Sequence, residues 1–263
     1  MIKKRVLCSS LVLTAMLLSK LYSNPQPVTI NDPLREALKV SMEKQMRAQL
    51  SSPEKLKEVY MNSITFADAE LPIELPTVKS KLEKYLARFS FKKQQSYGLH
   101  KKAEQHLPQI AEILASYGIP EDFKYVPLVE SGLNPGVKSI KGAGGYWQFM
   151  PATARLYGLK VNGKVDERKD LVKSTHAAAQ YLNYLYREFG DWALVAAAYN
   201  VGDGRLKNSI RRQGVDNYYK LNLNSETGSY VYKLVSIKEV IENPDRHGYS
   251  RYASIGKINK EKS

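Results

Sequence analysis

Glu130 is the one carboxylate in residues 129–153, a stretch reading VESGLNPGVKSIKGAGGYWQFMPAT. A helix-breaking loop, glycines that let a ligand come close to the backbone, and the polar tip of Gln148 follow it. A single carboxyl can serve as general acid and then as general base if its pKa lies near the working pH. Taken singly, each of these residues fits a structural glutamate and an ordinary glycine-rich loop. Taken together with Tyr199-Asn200-Val201-Gly202 downstream, they point to a site.

Other candidates read as structural. His176 falls at a helix start on an alanine-rich face, where a satisfied hydrogen-bonding role is expected. Asp191 reads as an N-cap, and Asp166 and Asp170 as solvated or loop-ordering residues. Trp147 and Trp192 fit core packing, the latter above all. The four histidines have no metal-ligand spacing, so neither a metal nor a cofactor is expected.

Helices must hold these residues. Val78, Leu82, Tyr85, Leu86 and Phe89 recur at helical spacing after a stretch, residues 71–76, that reads as extended. Leu107, Ile110, Ile113 and Leu114 mark an amphipathic helix ending near Gly118. Pro120 is expected to open a helix running to about Ser131, which puts Glu130 at its C-terminus. There the helix dipole disfavours a negative charge, and burial beside Phe123, Tyr125 or Trp147 acts in the same sense, so a raised pKa is predicted. Ser174 or Thr175 is expected to cap a helix that Gly190 stops, Asp191 to start the next as far as Tyr199–Gly202, and a last helix to run from about Thr227 to Pro244. No strand-period segment of comparable length is present, so the fold class is mainly α.

The chain has 263 residues, a formal net charge of +14 and 43% hydrophobic residues. That excludes disordered, collagen-like and polytopic membrane classes and predicts a surface that attracts polyanions. Lys3, Lys4 and Arg5 before the apolar residues 6–18 read as an export leader over residues 1–23, cleaved near Ser23 or kept as a membrane anchor. Export argues against nucleic acid as the partner. Cys8, the only cysteine, lies in that leader, so the remainder has no disulfide.

Over roughly residues 75–245 the chain resembles the lysozyme-like lytic transglycosylases, and within them the membrane-bound murein transglycosylase D type. Four motifs, in order, carry the resemblance. They are Glu130-Ser131 with Asn134-Pro135 and Ser139; residues 142–151 with Thr153; Ser174-Thr175-His176-Ala177-Ala178-Ala179 with Tyr181-Leu182; and Phe189-Gly190-Asp191-Trp192 leading to Ala197-Ala198-Tyr199-Asn200-Val201-Gly202. Tyr146, where the family usually has an apolar residue, and Gly136-Val137 depart from the pattern.

The resemblance implies a goose-type lysozyme (SLT) helical domain over residues 91–245, with a helical or linker extension over 24–90 and a basic tail over 246–263. It implies an exported enzyme of the periplasm or cell envelope that cuts peptidoglycan glycan strands during cell-wall turnover. Glu130 would be the catalytic acid/base, Ser139 would hydrogen-bond near it or to the N-acetyl group, Gln148 and Met150 would line the glycan groove, Tyr199 would point its hydroxyl at Glu130 or the sugar, and Asn200 would hold the loop. Membrane attachment through the N-terminal segment and recruitment by wall-synthesis or division complexes fit the same reading. A muramidase-type hydrolase, which needs a second carboxylate or an activated water, is one alternative. An inactive peptidoglycan-binding protein is the other.

Overall fold

The computed structural model describes Ser41 and residues 52–249; the leader and residues 250–263 of the basic tail lie outside the described residues. The chain divides into two units, Met1–Leu56 and Lys57–Ser263. The first is described only at Ser41 and at the start of helix α1 (Pro53–Asn62). The second is mainly helical, as the periodicities predict. Among the described residues no helix is long and apolar enough to cross a membrane.

After α1 comes a hairpin of two-residue strands, β1 (Thr65–Phe66) and β2 (Ala69–Glu70), with Thr65 paired to Glu70. Its turn residues Ala67 and Asp68 both have positive φ, 49° and 64°, which suits the twist of a two-residue hairpin but strains an alanine. Asp122 holds it: its Oδ2 accepts from Ala67 N at 2.8 Å and from Lys238 Nζ at 2.9 Å. Residues 71–76, expected to be extended, instead form a turn, with Leu75 N donating to Pro72 O at 3.1 Å before Pro76 opens α2 (Pro76–Phe89). Proline at the first helical position ends the extended reading there.

α2 buries the predicted Val78, Leu82, Tyr85 and Leu86, and a short α3 (Phe91–Gln94) leads into α4 (Gly98–Ser116). Residues 121–131 are not one helix. A 3-10 segment, Glu121–Tyr125, precedes α5 (Val126–Ser131), because Pro127 lacks the N–H that a continuous α-helix would use and is accommodated only in a new first turn. α6 (Pro151–Leu156) follows the glycine loop.

α7 (Leu171–Phe189) starts earlier than Ser174 or Thr175 would have it. Asp170 is the cap, accepting from Lys173 N at 2.9 Å, whereas the Ser174 and Thr175 hydroxyls are buried and donate back to Asp170 O and Leu171 O. Asp191 caps α8 (Trp192–Val201) as predicted, accepting from Leu194 N at 2.8 Å. Residues 193–198 are all buried, so α8 is a core helix apolar on every side. α9 (Asp203–Gln213) has one buried residue, Leu206, and its polar sequence gives no apolar stripe to read.

The last helix, α10 (Tyr230–Glu242), is the hub: it packs on α2, on α8, on α5 and on the 3-10 segment before α5. α7 lies between α4 and α8. These contacts bring the end of α5, the end of α8 and the start of α10 to one place.

Candidate active site

Glu130 sits one residue before the end of α5, which Gly132 closes in the left-handed conformation (φ +59°). It is half-buried, and Tyr230, the first residue of α10, donates its hydroxyl to Glu130 Oε1 at 2.5 Å. Burial pushes the Glu130 carboxyl up to about 7. The Tyr230 hydrogen bond and the Lys233 charge oppose that rise, and the Glu226 carboxylate adds to it. The predicted direction holds. Burial is its main cause, and the Tyr230 and Tyr199 phenols are themselves held well above the usual value by burial and by the Glu130 charge.

The glycine loop is anchored beside this carboxyl. Ser131 Oγ donates to Tyr146 O at 2.8 Å, and Tyr199 OH donates to Trp147 O at 2.7 Å. Tyr199 therefore orients the loop, where the sequence reading had its hydroxyl aimed at Glu130 or at a sugar; the residue that bonds Glu130 is Tyr230. Trp147 is fully buried, its Nε1 donating to Thr175 Oγ1 at 3.0 Å.

Arg168 fixes the loop from below. It is 4% exposed, its Nη1 donates to Gly142 O and Phe149 O at 2.9 and 2.8 Å, and Asp166 takes Nε and Nη2 as a fork at 2.8 and 2.7 Å. Asp166 is thus the partner of a buried arginine. Gly145 is where this clamp demands glycine: φ is +76°, and a Cβ there would stand 1.9 Å from Arg168 O.

Gln148 has φ +50°, and its Nε2 donates to Gly145 O at 2.9 Å and Val137 O at 3.0 Å, so the amide braces the loop, while among the described residues Oε1 accepts no hydrogen bond. Ser139 Oγ accepts from Ala143 N at 3.0 Å, in a turn of the same loop. Met150 is 44% exposed at the start of α6. Asn200 links the end of α8 to the segment before α10: its Oδ1 accepts from Thr227 Oγ1 at 2.8 Å, and its Nδ2 lies 3.4 Å from Glu226 Oε1. His176 Nδ1 pairs with Tyr117 OH at 3.1 Å, the structural role expected of it. Trp192 is half-buried, stacked on Tyr186 and edge-on to Phe123. Among the described residues no group of three or more His, Cys, Asp or Glu is placed to hold a metal ion.

The structure therefore gathers a protonatable carboxyl, two tyrosines and a pinned glycine loop, which is the equipment for acid/base work on a ligand lying along the loop. Residues 109–222 match the family model described as the transglycosylase SLT domain. The SLT match includes Glu130, Ser139, Gln148, Met150, Tyr199 and Asn200, whereas Tyr230 and Glu226 lie beyond it. Over 191 residues the chain is 33% identical to the membrane-bound lytic murein transglycosylase D of Escherichia coli (strain K12), which covers 70% of this chain and 41% of that relative. It is 32% identical over 116 residues to the soluble lytic murein transglycosylase of the same strain, covering 41% of this chain and 18% of the relative. The chain spans less than half the length of these relatives. The crystal structure of the 70 kDa soluble lytic transglycosylase of Escherichia coli aligns with a TM-score of 0.46 at 21% identity, covering 63% of this chain and 29% of that one.

Proposed function

We propose that this chain is a peptidoglycan lytic transglycosylase, cleaving the β-1,4 bond between N-acetylmuramic acid and N-acetylglucosamine without water. The observation that carries the reading is the Glu130 carboxyl, alone at the end of α5 in an SLT domain and held up to about 7. Protonated Glu130 gives its proton to the bridging oxygen as the glycosidic bond breaks. The resulting carboxylate takes the proton of the muramic acid 6-hydroxyl, whose oxygen closes onto C1 to give a 1,6-anhydro end. One group acts as acid and then as base, so the proton is returned and no second carboxylate is needed.

In this reading Tyr230 orients Glu130, and Tyr199 and Gln148 hold the loop that carries the glycan. Gln148 Oε1 and Ser139 meet sugar hydroxyl or N-acetyl groups, Met150 offers an apolar contact, and Asn200 steadies the far wall. The domain acting this way takes in residues 91–245 together with the α1 and α2 segment packed on α10, and residues 1–23 export the protein to the cell envelope. The product and a role in cell-wall turnover belong to the same proposal.

Glu226 gives the hydrolytic reading a specific foothold, because it is exposed and its charge acts on Glu130. An inverting hydrolase uses such a carboxylate, about 6.5–9.5 Å from the acid, to activate water. The test is release of soluble muropeptides from purified sacculi. Glu130→Gln is expected to release none while still sedimenting with sacculi, and Glu226→Gln to keep turnover within about threefold of wild type, the scale of a remote charge. Loss of turnover in both variants would favour the hydrolase, and turnover by Glu130→Gln would remove Glu130 from its role.

A further inference from the structure

The hydrogen bond from Tyr230 to Glu130 depends on where α10 begins. A 3-10 turn, Thr227–Ser229, leads into that helix, and Thr227 O accepts the N–H of Tyr230 itself. The N–H of Val231, next along, belongs to the first turn of α10, whose donors have no partner within the helix. One buried hydroxyl serves both sides of this junction. Tyr218 OH donates to Thr227 O at 2.8 Å and accepts from Val231 N at 3.3 Å. Tyr230 is therefore bracketed: its N–H and the Tyr218 phenol share one carbonyl, and the same phenol holds the residue after it.

Tyr218 is itself held firmly. It lies in the stretch between α9 and α10 and is 4% exposed. A turn at Asn217 fixes its backbone: Asn217 O accepts from Lys220 N and Leu221 N at 3.1 and 3.0 Å, and Asn217 Oδ1 accepts from Tyr219 N at 3.0 Å. Its ring stands edge-on to Tyr219, with centroids 5.3 Å apart, and tilted against Tyr232 at 6.2 Å. Burial holds the phenol well above its usual pKa, so it keeps the proton it donates to Thr227 O. Other ties act on the segment before α10: Thr227 Oγ1 donates to Asn200 Oδ1 at 2.8 Å, and Lys81 Nζ of α2 donates to Gly228 O at 3.0 Å. The Tyr218 hydroxyl couples that segment to the helix.

We propose that Tyr218 is a positioning residue for the acid/base step, its hydroxyl setting the first turn of α10 so that the Tyr230 phenol meets Glu130. The inference rests on the transglycosylase reading and extends it to a residue that makes no hydrogen bond to Glu130. Without the hydroxyl, Thr227 O and Val231 N lose the partner they share, the first turn of α10 shifts, and the Tyr230 bond to Glu130 weakens. A donor to a carboxyl favours its charged form. The carboxylate left after proton donation is then less stabilised, so kcat falls, and Glu130 holds its proton to higher pH.

The experiment compares wild type, Tyr218→Phe, Tyr230→Phe and the double variant, as full chains, by their turnover of soluble peptidoglycan strands across pH. Phenylalanine keeps the ring packing and removes only the hydroxyl. Tyr218→Phe is expected to lower kcat about threefold to tenfold with KM within about twofold, the scale of one hydrogen bond. Its falling limb is expected to move up by about half a pH unit, in the direction of Tyr230→Phe. In the Tyr230→Phe background the same substitution is expected to change neither quantity, because no bond is left to position. Tyr249→Phe removes another buried hydroxyl, bonded to Phe89 O at 2.8 Å at the far end of α2, and is expected to leave the limb in place. A limb that stays put in Tyr218→Phe, a limb that moves as far in Tyr249→Phe, or effects that add in the double variant overturn the proposal. Glu130 is also titrated without turnover, by nuclear magnetic resonance of protein carrying carbon-13 in its glutamate carboxyls, with Glu130→Gln identifying the signal. If wild type cuts no strands, the transglycosylase reading fails by itself, and the titration still decides Tyr218: a higher Glu130 pKa in Tyr218→Phe upholds the coupling, and an equal one overturns it.

Discussion

Glu130 binds its proton more tightly in the folded chain than in the unfolded one, and this fixes the sign of two effects. Its carboxyl rises from 4.5 to about 7. Between those values the folded state holds more protons, so stability present below pH 4.5 is lost as pH climbs to 7. Glu130→Gln keeps the shape and the acceptor for Tyr230 but removes the charge. The variant is expected to melt several degrees above wild type at pH 8 and together with it at pH 4, by calorimetry, from a difference of up to about 3 kcal/mol. Activity follows the same proton: kcat/KM is expected to fall as pH rises past about 7, where the acid is lost. The Tyr230 hydrogen bond holds that pKa down, so Tyr230→Phe moves the falling limb to higher pH while lowering the rate; a limb that stays in place would contradict the assignment of Tyr230. Glu130 was legible in the sequence because it is the one carboxylate beside a recognisable loop. Tyr230 was not, because it is one of 18 tyrosines and lies 100 residues further along the chain. Only the packing of α10 on α5 shows which tyrosine reaches the carboxyl.

At the scale of elements, the loop is shaped by what lies beneath it. Arg168 ties Gly142, Phe149 and Asp166 together in a buried site, so Arg168→Met leaves an unpaired carboxylate and takes the side-chain donor from Gly142 O, while Phe149 O keeps only the N–H of Gly144. That is expected to cost about 3–5 kcal/mol in a urea titration, with Arg168→Lys recovering little because an ammonium cannot reproduce the fork. Gly145→Ala meets Arg168 O as well as a positive φ and is expected to abolish activity, whereas Gly118→Ala, with positive φ but open space, costs about 1 kcal/mol. Equal losses at Gly145 and Gly118 would show that the clamp does not constrain the loop. Helices with one apolar stripe, such as α2 and α4, and helices with an aspartate cap and a glycine stop, such as α8, were legible from spacing. The break at Pro127 was available in the sequence but was outweighed by the Pro120 signal. The start of α7 was misplaced because Ser174 and Thr175 look like caps until their hydroxyls are seen to bond backward. α9 gave no stripe at all.

At the scale of the whole unit, the segment before residue 91 is part of the core that holds the site. α2 packs along α10, and Tyr60 of α1 donates to Glu239 Oε2 of α10 at 2.9 Å while meeting His247 Nε2 at 3.0 Å. A chain beginning at residue 91 exposes the faces that Val78, Leu82, Tyr85 and Leu86 cover. It is expected to lose cooperative unfolding, while one beginning at residue 57 keeps it. Burial lowers His247 to about 4. The unfolded chain then binds more protons between pH 4 and 6.5, so this group contributes stability that is lost as pH falls, the opposite of Glu130. His247→Gln is expected to flatten the acid side of the stability profile; an unchanged acid side would mean that His247 is not held neutral.

The central claim, that Glu130 alone drives an intramolecular closure, is tested most directly by the mass of the products. Sacculi digested in heavy-oxygen water are predicted to yield muropeptides lighter by one water than hydrolytic products and free of the heavy label. Reducing ends carrying the label would contradict it, because they require water as the nucleophile and a second group, such as Glu226, to activate it.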